Sequence, residues 1–131
     1  MNAAVKPYLA ALIVMGVLDA LWLGVIAKDF YREQIGAQMA EQVRWAPALL
    51  FYFAYPAALV ALALFPAGQS FRMQVARAAL VGLMAYGVYD LSNAATLRQW
   101  PYKLALVDTV WGTFASTLAG AAAAWVQQRW G

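Results

Sequence analysis

The sequence predicts an all-α integral membrane protein: a bundle of four transmembrane helices, with an interfacial amphipathic helix between the first two spans. Of its 131 residues, 65% are hydrophobic and 11% are charged, whereas soluble domains have roughly 45–50% apolar and 25% charged residues. About 20 apolar residues cross a bilayer, and four windows reach that length, at about 7–27, 45–65, 78–98 and 104–126. The length is typical of a single domain, residues 1–131.

The first span begins with Pro7, which suits the first turn of a helix because its missing N–H costs little there. It contains one acidic residue, Asp19, near its middle, and it ends at Lys28. This apolar stretch is longer than the roughly 7–15 residues of a signal peptide. We therefore expect it to remain in the protein as a membrane span.

The segment 28–44 is too polar to cross a membrane, yet its apolar residues are regularly spaced. Tyr31, Ile35, Met39 and Val43 recur every four residues opposite a charged face. This spacing predicts an amphipathic helix lying in the membrane interface. Gly36 interrupts the pattern, and a polar loop is the alternative interpretation.

The second span is marked by a tryptophan and a proline, and the third by polar residues on one helix face. Trp45 opens the second span at the level of the aromatic belt, and Pro56 inside it predicts a kink. In the third span, Tyr86, Asp90, Asn93 and Leu97 follow one another at steps of four, three and four residues, so one helix face carries the polar groups Tyr86, Asp90 and Asn93.

The fourth span carries small residues at regular intervals after Asp108. Gly112, Ser116 and Gly120 follow it at four-residue spacing. Such a ridge lets a neighbouring helix approach closely. We expect it to serve packing, or contact with a second copy of the chain or another membrane protein.

The three aspartates within the spans are the main candidates for function. An ionised Asp at the centre of a membrane helix costs roughly 2.5–3.5 kcal/mol, so these side chains are expected to face the bundle interior. Counted along alternating spans, all three fall on the side of the 28–44 segment, where they can share one cavity. The candidate binding residues are Asp19, Trp22, Tyr86, Tyr89, Asp90, Asn93, Asp108 and Trp111. The alternative is that protonated aspartates only hydrogen-bond between helices.

Composition restricts the cofactors that the chain can hold. It has neither cysteine nor histidine, so no haem, iron–sulfur or zinc site is expected. Oxygen ligands suit magnesium or calcium, which makes Asp19, Asp90 and Asp108 the candidate metal ligands. The net charge is +3, and the basic residues are scattered, so no nucleic-acid partner is expected.

Four short runs carry a resemblance to a known family. They are DALWLG at 19–24, FAYPA at 53–57, YDLSNAATLR at 89–98 and VDTVWG at 107–112. In order and spacing they resemble the small predicted bacterial membrane proteins called domain of unknown function 2177. The resemblance covers nearly the whole chain and implies four spans in a bacterial inner membrane. It implies no catalytic residue, because the family has no established activity.

Three functions are consistent with these features. The leading interpretation is a protein whose aspartate cluster binds or modifies a lipid or another amphiphile, and membrane lipid is then its partner. A proton-coupled or cation-coupled transporter would use the same acids, with the bend at Pro56 as a gate. An accessory subunit of a membrane enzyme would pack through Gly112, Ser116 and Gly120. No specific reaction or substrate is indicated.

Overall fold

The computed structural model describes residues 3–40 and 42–130, and every regular element in this part of the chain is helical. The all-α class is therefore confirmed. In chain order the helices are α1 (Val5–Leu21), which continues as a π-helical turn (Trp22–Ile26), α2 (Lys28–Ile35), which continues as a 3-10 turn (Gly36–Gln38), α3 (Trp45–Leu64), α4 (Phe71–Thr96) and α5 (Tyr102–Trp130).

Three of these helices are long and apolar enough to cross a membrane: α1 together with its π-helical turn, α3 and α5. They coincide with the predicted windows 7–27, 45–65 and 104–126. Helix α4 has 26 residues, but it is more polar than the other three. Its polar and charged residues lie mostly in its first and last turns, at Arg72, Gln74, Arg77, Asp90, Ser92 and Asn93.

Helix α4 begins earlier than the predicted window 78–98. The side-chain oxygen of Ser70 accepts a hydrogen bond from the backbone N–H of Met73 at 3.1 Å, which caps the helix and satisfies one of its free amide groups. The window was chosen for apolar residues and so excluded Arg72 and Arg77. A helix boundary set by a cap does not depend on hydropathy.

The amphipathic helix predicted over 28–44 is shorter than expected. Helix α2 covers eight residues and ends at Ile35, where Gly36 begins the 3-10 turn. Met39 has an extended backbone, and both Met39 and Val43 are exposed outside the helix. The four-residue stripe therefore extends only from Tyr31 to Ile35.

The small-residue ridge of α5 packs against α4 of the same chain. A Cβ atom added at Gly82 of α4 would lie 2.6 Å from the Cβ of Ser116, and one added at Gly120 would overlap Ala78. The ring of Tyr86 covers Gly112 in the same way. The expected close approach of a helix is thus internal. Contact of Gly112, Ser116 and Gly120 with a second copy of the chain or with another membrane protein stays a prediction, and α4 packs on the same ridge.

Helix α3 contributes to the core with only one of its halves. Its buried residues are Pro56, Leu59, Val60, Ala63 and Leu64, which pack with apolar residues of α1 and α5 such as Met15 and Ala119. Residues 45–54 are mostly exposed. Pro56, at which a kink was predicted, therefore lies where the packed half of α3 begins.

A cluster of glutamines joins three helices at the end of the bundle where α4 starts. The side-chain amide of the buried Gln74 donates to Gln127 Oε1 at 2.6 Å and to the Leu64 carbonyl at 3.4 Å. Its own oxygen accepts from Gln128 Nε2 at 2.9 Å. These bonds connect α4 to the ends of α3 and α5. Sequence analysis did not identify this glutamine cluster (Gln74, Gln127 and Gln128).

Replacing Gly120 by alanine is expected to destabilise the protein, because the added methyl group overlaps Ala78 and must separate α4 from α5. Inserting a methyl group into such a packed contact typically costs about 1–3 kcal/mol. The measurement is the unfolding midpoint of purified protein in detergent. Gly16→Ala is the matched control, since a Cβ there meets nothing within 4 Å. Equal stability of the Gly120 variant and the wild type would contradict the packing of α4 on α5.

Candidate functional site

Asp19 of α1 is held by a tryptophan of α5. The carboxyl is 5% exposed, and the indole nitrogen of Trp111 donates a hydrogen bond to it at 3.2 Å. The sequence places Trp22, not Trp111, one turn from Asp19. The contact therefore links two helices instead of stabilising one turn of α1.

Asp108 of α5 is reached from α2 through a tyrosine. The hydroxyl of Tyr31 donates to Asp108 Oδ1 at 2.5 Å and accepts a bond from the indole nitrogen of Trp22 at 3.1 Å. The rings of Trp22 and Trp111 stack in parallel, with centroids 4.4 Å apart. Asp19 and Trp22 share the pattern D-x-x-W with Asp108 and Trp111. Each tryptophan is hydrogen-bonded towards the aspartate of the other pair, Trp111 directly to Asp19 and Trp22 to Asp108 through Tyr31.

The hydroxyl of Tyr31 lies outside the apolar spans and remains a donor. Burial, followed by the hydrogen bond to Asp108, raises the pKa of Tyr31 well above its usual value. A hydroxyl with a raised pKa stays protonated at neutral pH. The Tyr31 proton is therefore available to Asp108 throughout the physiological range.

Asp90 of α4 is fully buried beside Asp108. Its two oxygens accept bonds from the indole nitrogen of Trp100 and the hydroxyl of Thr109, both at 3.3 Å, and its carboxyl interacts with that of Asp108. Asn93 lies one turn further along α4 and is half-buried, close to the Tyr89 side chain.

A cavity of about 670 Å³ lies beside Asp19 and Asp108. Six of the eight predicted site residues line it: Asp19, Trp22, Tyr86, Tyr89, Asp108 and Trp111. Asp90 and Asn93 are not on its wall. The remaining lining residues come mostly from α3 and its N-terminal flank: Leu23, Tyr31, Arg44, Pro47, Ala48, Phe51, Tyr52, Tyr55 and Ala85. We refer to this space as the aromatic cavity.

The predicted metal ligands are Asp19, Asp90 and Asp108. Within residues 3–40 and 42–130, no group of three or more His, Cys, Asp or Glu side chains is close enough to hold a metal ion. Each carboxyl accepts hydrogen bonds from uncharged donors. The donor is an indole for Asp19 and a hydroxyl for Asp108, and Asp90 accepts from one indole and one hydroxyl. Magnesium or calcium at these residues stays a prediction.

The family described as predicted membrane protein (DUF2177) matches residues 4–125. The chain belongs to this family. The match confirms the resemblance and contains every residue of the aromatic cavity. No curated protein and no solved structure matches the chain. The DUF2177 description agrees with three helices long and apolar enough to cross a membrane.

Sequence analysis of this DUF2177 protein missed several residues of the cavity. Tyr31 was assigned to the apolar stripe of an interfacial helix, and its spacing gave no sign that it bonds Asp108. Tyr52 and Tyr55 lie on the wall, and Tyr55 is hydrogen-bonded to Ser116 of α5 at 2.7 Å. Their spacing of three residues on α3, next to Pro56, was the available signal.

Replacing Tyr31 by phenylalanine is expected to lower the stability of the protein. The change removes the donor of Asp108 and the acceptor of Trp22, and a buried polar group left without a partner typically costs about 1–3 kcal/mol. The measurement is thermal unfolding in detergent, followed by tryptophan fluorescence. Tyr102→Phe is the control, because Tyr102 is 82% exposed. Equal midpoints for the two variants would show that the Tyr31 bonds contribute nothing.

Proposed function

We propose that this protein crosses the membrane four times, with α4 as the fourth span, and binds a lipid or other amphiphile in the aromatic cavity. The polar head of the ligand lies against Asp19 and Asp108, and its apolar tail leaves towards the bilayer. The observation that carries the proposal is the cavity itself, because it joins the buried carboxyl of Asp19 and the half-buried carboxyl of Asp108 to a wall of aromatic rings.

The size and lining of the cavity support a binding site. Sites for small molecules commonly measure roughly 300–1,000 Å³ and combine apolar and aromatic walls with a few polar groups. The aromatic cavity has this composition, and its polar groups converge from different helices: Asp19 from α1, Tyr31 from α2, Tyr86 from α4 and Asp108 from α5. Such convergence fixes the orientation of a head group.

The position of α3 supports access from the bilayer. Residues 45–54 of this helix are mostly exposed, so the half of α3 beside the cavity is not packed into the core. Leu23, Ala48 and Phe51 form apolar wall there. An alkyl chain in this opening gains contact with apolar side chains on one side and with lipid on the other.

The surface of α4 supports its assignment as a span. Two polar residues of α4, Gln74 and Asp90, are fully buried, so they do not meet lipid. Its exposed side is apolar over several turns, at Leu80, Leu83, Met84, Val88 and Leu91. With 26 residues it is about 39 Å long, which exceeds the roughly 30 Å of hydrocarbon in a bilayer.

Single cysteines placed at the two ends of α4 test the fourth span. The protein has no cysteine of its own, so Ser70→Cys and Gln99→Cys can be labelled in intact cells without a background signal. We expect the two positions to react with a membrane-impermeant maleimide from opposite sides. Labelling of both from the same side would contradict the four-span topology.

A bulky side chain inside the cavity tests ligand binding. Ala85→Phe fills space beside the aromatic residues without removing a hydrogen bond, and we expect it to reduce co-purified lipid at least five-fold, as measured by native mass spectrometry. Ala58→Phe is the matched control, since Ala58 is exposed on α3 and is not on the cavity wall. Equal amounts of bound lipid in both variants and the wild type, all folded by thermal melting, would refute the proposal.

A further inference from the structure

We propose that the aromatic cavity selects amphiphiles whose head carries a positively charged ammonium group. This inference rests on the proposed function and deepens it, because it names the chemistry of the head group. Two features of the cavity support it: carboxyls that accept hydrogen bonds from uncharged donors, and a wall of aromatic faces. The arginine directly before α3 bears on which ammonium amphiphile binds.

In residues 3–40 and 42–130, the side chains that donate hydrogen bonds to the two aspartates on the cavity wall are uncharged. Asp19 accepts from the indole of Trp111, and Asp108 accepts from the hydroxyl of Tyr31. In the part of the chain that the structure describes, no Lys or Arg forms an ion pair with either carboxyl. A carboxylate in an apolar environment is stabilised by a cation close by, and here the ligand supplies it.

The rings around these carboxyls also favour a cation. The faces of Trp and Tyr rings attract ammonium groups, and sites for methylated ammonium are commonly built as aromatic cages. In this cavity Tyr55 meets Tyr86 edge to face with centroids 6.0 Å apart, and Tyr52 and Trp111 line the same space. Neutral or anionic heads gain no comparable attraction from these rings.

Arg44 bears on whether the ammonium group belongs to a zwitterionic phospholipid or to a simple long-chain amine. It is exposed on the cavity wall, directly before the first residue of α3. A guanidinium binds phosphate strongly, so Arg44 adds an anchor for a zwitterionic phospholipid, which carries a phosphate beside its ammonium. A long-chain amine has no phosphate and gains nothing from Arg44.

Lipid competition on the purified wild-type protein tests the inference. Phosphatidylethanolamine, phosphatidylcholine, phosphatidylglycerol and diacylglycerol with identical acyl chains are added in equal amounts, and each adduct is counted by native mass spectrometry. We expect at least five-fold more adduct with the two ammonium-bearing lipids than with diacylglycerol, which supplies the tails alone. Equal binding of all four lipids would leave the proposed function standing and refute the ammonium inference. Binding of none would refute both.

Charge removal locates the preference. Asp19→Asn and Asp108→Asn keep the shape of the side chain, and each is expected to reduce the ammonium-lipid adduct at least five-fold and by a larger factor than the diacylglycerol adduct. Glu33→Gln is the control, since Glu33 is exposed on α2. A preference that survives both substitutions would contradict the assignment. The wild-type competition alone decides the question if a variant fails to fold.

A parallel measurement with dodecylamine and Arg44→Gln identifies the source of the ammonium. Loss of phosphatidylethanolamine binding with unchanged dodecylamine binding supports the phospholipid. Unchanged binding of both supports a simple amine amphiphile. Loss of dodecylamine binding in Arg44→Gln would contradict the inference, because removing a positive charge should not weaken a site for a cation.

Discussion

The arrangement of the helices depends on the need of buried carboxyl groups for hydrogen-bond donors. Apolar helices supply none from their own side chains, and backbone amides inside a helix are already bonded. Asp19 and Asp108 therefore take donors from other elements, an indole of α5 and a hydroxyl of α2. Because these bonds cross between helices, they fix α1, α2 and α5 relative to one another. The parallel stack of Trp22 on Trp111 joins the two bonds into one unit.

The aromatic cavity exists because only one half of α3 packs into the core. From Pro56 onward the helix packs through close-fitting apolar residues, whereas the residues before Pro56 are mostly exposed. Tyr55 marks the boundary, since its hydroxyl is bonded to Ser116 of α5. The aromatic cavity lies beyond this contact, between α3 and the two aspartates. Helix α3 thus packs into the core with its second half and lines the cavity with its first half.

The sequence was sufficient for the features that depend on local patterns. Apolar length predicted α1, α3 and α5, and four-residue spacing of small residues predicted the close approach of a helix to α5. That helix is α4, because Gly82 and Ala78 pack against Ser116 and Gly120 of α5. The spacing of residues within α5 cannot predict which helix supplies these partners. The pairing of Trp111 with Asp19 was equally inaccessible, because D-x-x-W places a different tryptophan nearer in sequence. The hydroxyl of Tyr31 bonds Asp108 of α5, a contact that the four-residue stripe over 28–44 does not predict. The role of the predicted site residues in binding stays a prediction.

The glutamine cluster gives the two ends of the bundle different responses to an electric field. Gln74 and Asp90 are separated by about 24 Å along α4, and the bonds among Gln74, Gln127 and Gln128 involve no formal charge. A transmembrane voltage acts on charge, by about 2.3 kcal/mol per elementary charge for each 100 mV crossed, so it exerts no force on that cluster. At the opposite end, a cationic head group bound at Asp19 or Asp108, as we propose, would cross part of the field. Under that proposal, voltage acts on the ligand at the cavity end of the bundle and exerts no net force on the uncharged glutamine cluster.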